Sequence, residues 1–171
     1  MMPIRSLFIA ALSIAFSVTA ASAEEIDNPL FSAWAKYGVG TRVTLESKMA
    51  DGMTMSSVRI LKEKADDHVL IEVTATLEKG GKKEPSRPVP VTIPAKVDKA
   101  KVQELEKEKL KVADKTYDCT IYAMADPAPN YIGSNPKLWL SSQVPGGIVK
   151  VEMSTPLGTN AQVLKTVEIK K

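Results

Sequence analysis

Hydrophobic and polar positions change their spacing twice along this chain, and each change marks a different kind of segment. An unbroken apolar stretch from Leu7 to Val18, interrupted only by Ser13 and Ser17, comes first. Residues 28–37 then follow helical spacing. Leu30, Trp34 and Tyr37 fall on one face, Asn28 suits an N-cap, Pro29 the first helical position, and Gly38 the position past the end. From Thr41 the period becomes two. Val43, Leu45, Ser47 and Met49 alternate with Thr44, Glu46 and Lys48, which predicts a half-buried strand.

The period of two persists nearly to the end of the chain. Ala50-Asp51-Gly52 predicts a turn into a partner strand from Met53 to about Lys62. Its apolar parity shifts between Met53/Met55 and Val58/Ile60, so a bulge is expected near Ser56-Ser57. The cleanest strand follows, with Val69, Ile71, Val73, Ala75 and Leu77 facing one way and Glu72, Thr74 and Thr76 the other. Pro88, Pro90 and Pro94 remove ladder donors and mark residues 88–94 as an edge strand. Residues 96–107 are charged around Val102 and Leu105 and read equally as a short helix or a covering loop. Leu110 and Val112 pair with 116–124 across Ala113-Asp114-Lys115. After a proline-rich loop over 125–136 come strands at about 137–142, 147–155 and 161–170, separated by turns at 144–147 and 156–158. The sum is a mainly β fold: a curved antiparallel meander, half-barrel or barrel, of about eight or nine strands with one or two short helices. Polar residues on one face of each strand leave the sheet wet on that side.

The apolar stretch at the start fixes the expected compartment. Arg5 precedes it, and Ala21-Ser22-Ala23 supplies a small-residue cleavage site. That is the layout of a signal peptide over residues 1–23, too short an apolar run to span a bilayer. Cleavage near Ala23 leaves a single β-rich domain over 24–171, periplasmic or secreted, with no transmembrane anchor. No cysteine follows the apolar run, which argues against a lipid-anchored protein.

Charge and cysteine content narrow the partners. Without Arg5 the chain carries 22 basic residues against 20 acidic ones. Its lysines between Lys79 and Lys115 are interleaved with Glu78, Glu84, Asp98, Glu104, Glu106 and Glu108. A nucleic-acid binder concentrates its basic residues, so none is expected as a partner. Cys119 is the sole cysteine, so no internal disulfide supports the fold. Alternation places it beside Tyr117 and Ile121, as a small apolar side chain in a core rather than a reactive thiol.

Catalytic chemistry is sparse. His68 is the one histidine, and it follows Asp66-Asp67 at a turn. The chain has no Gly-x-Ser-x-Gly elbow, no His-Glu-x-x-His, no paired-cysteine zinc spacing and no phosphate-cradling Gly-rich loop. Nothing in the sequence requires an enzyme, a cofactor or a catalytic residue. Met49, Met53 and Met55 flank one tight turn, and thioethers are soft ligands suited to Cu(I). Methionine is also a routine core filler, and that is the preferred reading, with no metal assigned. Four aromatics are the candidate ligand-binding residues: Trp34 and Tyr37 on the helix, Tyr131 in the long loop, and Trp139, which opposes Leu138 and Leu140 by parity. A covering helix is the expected neighbour of Trp139.

Residues 108–155 carry a resemblance. Lys115-Thr116-Tyr117-Asp118-Cys119-Thr120, then Leu138-Trp139-Leu140-Ser141, then Val144-Pro145-Gly146-Gly147-Ile148-Val149-Lys150 resemble a family of small secreted bacterial β-rich proteins. Asp114-Lys115 stands where those proteins tend to have glycines, so the turn there is expected to differ. Their layout is similar to the curved half-barrels of lipoprotein carriers (LolA/LolB-like), which hold acyl chains in an apolar concavity closed by a helix. The resemblance implies an architecture and carries over no activity and no binding residue.

These readings converge on a non-enzymatic secreted or periplasmic domain. It is expected to bind a lipid or other apolar small molecule, or a cell-envelope protein, in a curved sheet with the N-terminal helix as lid. The alternatives are a structural or assembly protein with a filled core, and a copper handler or hydrolase using His68, Cys119 or the methionine turn.

Overall fold

Asn28 starts α1 (Pro29–Trp34) by accepting a hydrogen bond from Leu30 N at 3.0 Å, and Pro29 occupies the first turn. The helix is shorter than the 28–37 expected from spacing, and Tyr37 N already turns back to Trp34 O. The computed structural model describes residues 24–49, 52–125, 134–155 and 158–170. The leader, Ala50-Asp51, the loop over 126–133 with Tyr131, and Pro156-Leu157 lie outside the described residues.

Around α1 runs one antiparallel meander. Its strands are β2 (Arg42–Lys48), β3 (Thr54–Lys64), β4 (His68–Lys79), β5 (Lys82–Pro85), β6 (Val89–Pro94), β8 (Val102–Val112), β9 (Lys115–Met124), β10 (Ser134–Leu140), β11 (Ile148–Thr155) and β12 (Gly158–Glu168). A small ribbon pairs β1 (Glu25–Asp27) with β7 (Lys96–Asp98), and Lys96 reaches Asp27 at 2.6 Å across it. The ten-stranded sheet runs β5-β4-β3-β2-β12-β11-β10-β9-β8, with β6 also on β4. The chain's last strand thus closes the gap between its first and second halves, through β12 pairing with β2.

Three sequence expectations change here. Residues 96–107, expected as a helix or a covering loop, form instead the strand β7, one turn of 3-10 helix at Lys99–Lys101 and the first half of β8, an eleven-residue edge strand whose Leu110 and Val112 pair with β9 as expected. Residues 103–109 are exposed throughout, so no apolar face was needed, and alternating Lys and Glu guard the open edge. The bulge expected at Ser56-Ser57 is absent, because β2 and β3 keep register from Arg42↔Ile60 to Lys48↔Thr54. The irregularity lies at Lys62, between Leu61/Ile71 and Glu63/Leu70. Ser57 and Arg59 therefore share the inner face with Leu61, while Val58 and Ile60 take the other face. The barrel alternative also falls, since β5/β6 and β8 remain separate edges.

The sheet bends around α1. The helix touches β4 and β6, yet the Trp34 ring also lies against Gly146, in the loop between β10 and β11. β4 and β11 are four strand spacings apart, about 19 Å in a flat sheet, whereas a helix is about 10–12 Å wide. One short helix reaches both only if the sheet curves toward it. Val43, Leu45, Leu61, Val69, Val149, Val151 and Leu138 are sealed in one continuous core with Trp34 at 1 % exposure. A two-turn helix cannot cover so many strands alone, so the two wings of the inner face must also cover each other.

Candidate functional site

The strand directions give the curved sheet two distinct ends. At one end are α1, the starts of β4 and β9, and the 141–147 loop. At the other are the 48–54 turn, the end of β4, the end of β9 and the β11–β12 turn. Two of the seven methionines are Met1 and Met2, and the other five all lie at this second end.

They also share one face. Directly paired residues of an antiparallel ladder project to the same side, and alternate residues of a strand do likewise. Met55 pairs with Ser47, which puts both on the inner face with Leu45 and Val43. Met49 and Met53 continue those two strands and are joined by Met49 N donating to Met53 O at 2.8 Å. Met153 alternates with Val151 on β11, and Met124 alternates with Tyr122, the partner of Leu138. Four of the five are half-buried and Met153 is buried. Leu77, paired with Met55, extends the apolar surface at 42 % exposure. The result is a half-open, flexible, polarisable lining, the kind of surface that adapts to irregular apolar partners.

Just inside this lining lies a polar seam. Val163 pairs with Glu46, so Gln162 stands beside Ser47 on the inner face. Ser57 faces Leu45 and Ala75, and Arg59 faces Val43 and Val73. All four polar residues are buried, Ser47 at 3 % and Arg59 at 7 % exposure. Ser47 Oγ has no hydrogen-bond partner among the described residues. Sequence reasoning missed this seam because it assigned the inner face of β3 to Val58 and Ile60.

The aromatic candidates do not gather at one place. Trp34 sits at the helix end, wedged against Gly146, and Tyr37 follows it, half-buried. Trp139 projects from the opposite face of β10 to Leu138 and Leu140, as parity predicted. No helix covers it. Its Nε1 donates to Glu108, and Lys150 Nζ lies 4.3 Å from the ring centre. Tyr131 is outside the described residues.

The groups of the enzymatic alternatives stay apart. His68 Nδ1 is 2.7 Å from Asp67, whose carboxyl that hydrogen bond holds below the usual carboxylate range, and 3.9 Å separates His68 from Glu63. Met55 pairs with Leu77, nine residues along β4 from His68, or about 30 Å of strand. The Cys119 thiol reaches Tyr117 O at 3.7 Å and has no bond to His68. Burial, then the Glu108 and Asp118 charges, push this thiol up to about 11, so it stays protonated at neutral pH and is a poor nucleophile. Among the described residues no three of His, Cys, Asp and Glu converge on a common point.

One recess opens at the helix end, about 440 Å³, between Lys115, Tyr117, Val144, Val167 and Ile169. Its lining is mixed, and it carries none of the methionines. No helix among the described residues is long and apolar enough to cross a membrane. No protein-family model matches the chain, and neither does any curated protein. The class of protein is therefore defined by architecture: an open, curved antiparallel sheet, plugged at one end by a helix and lined at the other by methionine.

Proposed function

We propose that this is a non-enzymatic binding domain of the cell envelope that holds a lipid-like apolar ligand against the methionine-lined end of its inner face. The observation that carries this reading is that Met49, Met53, Met55, Met124 and Met153 share one face and one end of the sheet, four of them half-buried. Evenly filled cores use methionine sparingly and scatter it, whereas adaptable binding surfaces concentrate it. In this reading α1 is a fixed plug and not a lid. Trp34 is locked against Gly146, Ala33 O accepts from Gly146 N at 3.3 Å, and Ala35 O accepts from Lys64 Nζ at 3.2 Å. The ligand enters at the opposite end. The signal-peptide layout of residues 1–23 supports a periplasmic or secreted setting for this reading, one in which apolar molecules need a carrier or a receptor.

The same five thioethers support a second reading, a Cu(I) site, since sulfur ligands alone satisfy that ion. Native mass spectrometry of protein secreted by an expression host separates the two. A lipid-sized adduct is expected. A mass increment of one copper in its place favours the second reading, and a bare mass unchanged by added lipid or Cu(I) overturns both.

A further inference from the structure

We infer that the recess at the helix end of the sheet is a second binding site, separate from the methionine-lined end, and that it takes a compact organic acid: one carboxylate on a ring or a short branched chain. The recess holds about 440 Å³, within the range of about 300–1,000 Å³ of small-molecule sites. Its walls are the start of β9 and the end of β12 with the residue that follows. Those strands are three spacings apart, about 14 Å in a flat sheet, and the 141–147 loop between them supplies the floor. Val144 of that floor is 1 % exposed. Its N–H donates to Ser141 O at 3.2 Å, its carbonyl accepts from Gly147 N at 2.9 Å, and Ser141 N closes the loop onto Gly147 O at 2.7 Å. Gly146 of the same loop is pressed against Trp34. The floor is therefore formed before any ligand arrives.

The lining combines two chemistries. Val144, Val167 and Ile169 are apolar, and Val167 and Ile169, two residues apart on one wall, are 36 % and 56 % exposed. An apolar body that covers them removes this surface from water. Lys115, Thr116, Tyr117 and Gln143 add an ammonium, two hydroxyls and an amide, all able to donate hydrogen bonds. Lys115 is the one charged residue among the described lining, and no acidic side chain accompanies it. The acidic groups of the adjoining strands are engaged elsewhere, Asp118 with Lys109 at 3.8 Å and Glu108 with the Trp139 indole. A cation surrounded by donors, with no acceptor charge of its own to satisfy it, suits a carboxylate, which offers acceptors only. Side chains projecting from both walls shorten the span between them, so the body of the ligand is compact and a long acyl chain is excluded.

The test is a nuclear magnetic resonance titration of the secreted, purified protein, isotope-labelled at its backbone amides and methionine methyl groups. The probes are phenylbutyrate and its neutral amide, phenylbutyramide. Phenylbutyrate is expected to shift the amide signals of Lys115, Tyr117, Gln143 and Ile169 along one saturation curve while the methionine methyl signals stay in place. It is expected to bind about tenfold more tightly than phenylbutyramide. Lys115→Met removes that preference and leaves the affinity for phenylbutyramide unchanged, whereas Ile169→Ser weakens both probes. Both residues are exposed, so both variants are expected to fold. A preference for the acid that survives Lys115→Met, or equal binding of the two probes, overturns the carboxylate assignment. Shifts confined to the methionine methyl groups, or no saturable shift around the recess, overturn the site itself. The methionine-lined end is judged by its own ligands, so either result leaves that reading to its own test.

Discussion

Gly146→Ala is expected to lower the melting temperature by on the order of 10 °C, the effect of about 3 kcal/mol in a domain of this size. Two costs add at this residue. The backbone has φ +69°, a left-handed conformation that disfavours a Cβ by about 1–2 kcal/mol. An added Cβ would also fall 2.4 Å from Trp34 Cε2, far inside the ordinary carbon contact distance of about 3.5–4.0 Å. Trp34 has nowhere to go, since it is 1 % exposed and anchors α1 to the core. Gly81→Ala provides the internal comparison. Its φ is +78° with nothing within 4 Å of the added atom, so only the conformational penalty of about 1–2 kcal/mol applies. Thermal unfolding of the two variants measures the difference. Equal losses would mean that Trp34 yields freely, and that α1 is a movable lid after all.

Ile71→Asp is expected to abolish folding, with a loss of about 4 kcal/mol or more. Ile71 is 3 % exposed and faces Leu61 on one neighbouring strand and Val91 on the other. A carboxylate there loses its water without gaining a partner, and the removed side chain leaves a gap among close-packed atoms. Glu72→Lys is the control on the opposite face. Glu72 is half-buried beside Lys62 at 3.6 Å, an exposed ion pair worth less than about 1 kcal/mol, so this variant is expected to unfold within a few degrees of the parent. Circular dichroism on heating distinguishes the pair, and a normally folded Ile71→Asp would remove the inner-face assignment of β4.

The alternation from Val69 to Leu77 was legible in the sequence because each residue there obeys its own local environment. β8 was not, since Gln103 to Lys109 are exposed on both faces and leave no hydrophobic period to read. Ser57 and Arg59 were assigned to the wrong face for a different reason. Parity along β3 is set by its ladders with β2 and β4, and those ladders run unbroken through both residues. Local hydrophobicity favoured Val58 and Ile60, but the pairing prevailed. The methionine end was half visible. Met49, Met53 and Met55 are close in sequence, but Met124 and Met153 join them only through pairing across strands remote in sequence. The parity of Met153 with Val151, and of Met124 with Tyr122, was the available signal.

Trp139 is buried on the face of β10 opposite Leu138, beside Ile121 of β9. Its ring lies under Lys150, and its donor is satisfied by Glu108 of the edge strand. That contact fastens β8, whose exposed central residues otherwise contribute little to the core. Lys150 is also close to Glu152, at 2.5 Å, so the cation over the ring is held from its own strand. Trp139 therefore fastens the edge strand β8 to β10 from the face opposite Leu138, while remaining part of the hydrophobic core.

The most direct test of the account is a nuclear magnetic resonance titration of protein labelled with carbon-13 at the methionine methyl groups. If a lipid-like ligand occupies the methionine-lined end, the methyl signals of Met49, Met53, Met55, Met124 and Met153 shift together and saturate at the same ligand concentration. Signals that stay in place while the ligand binds elsewhere, or that never shift with any amphiphile offered, would contradict it.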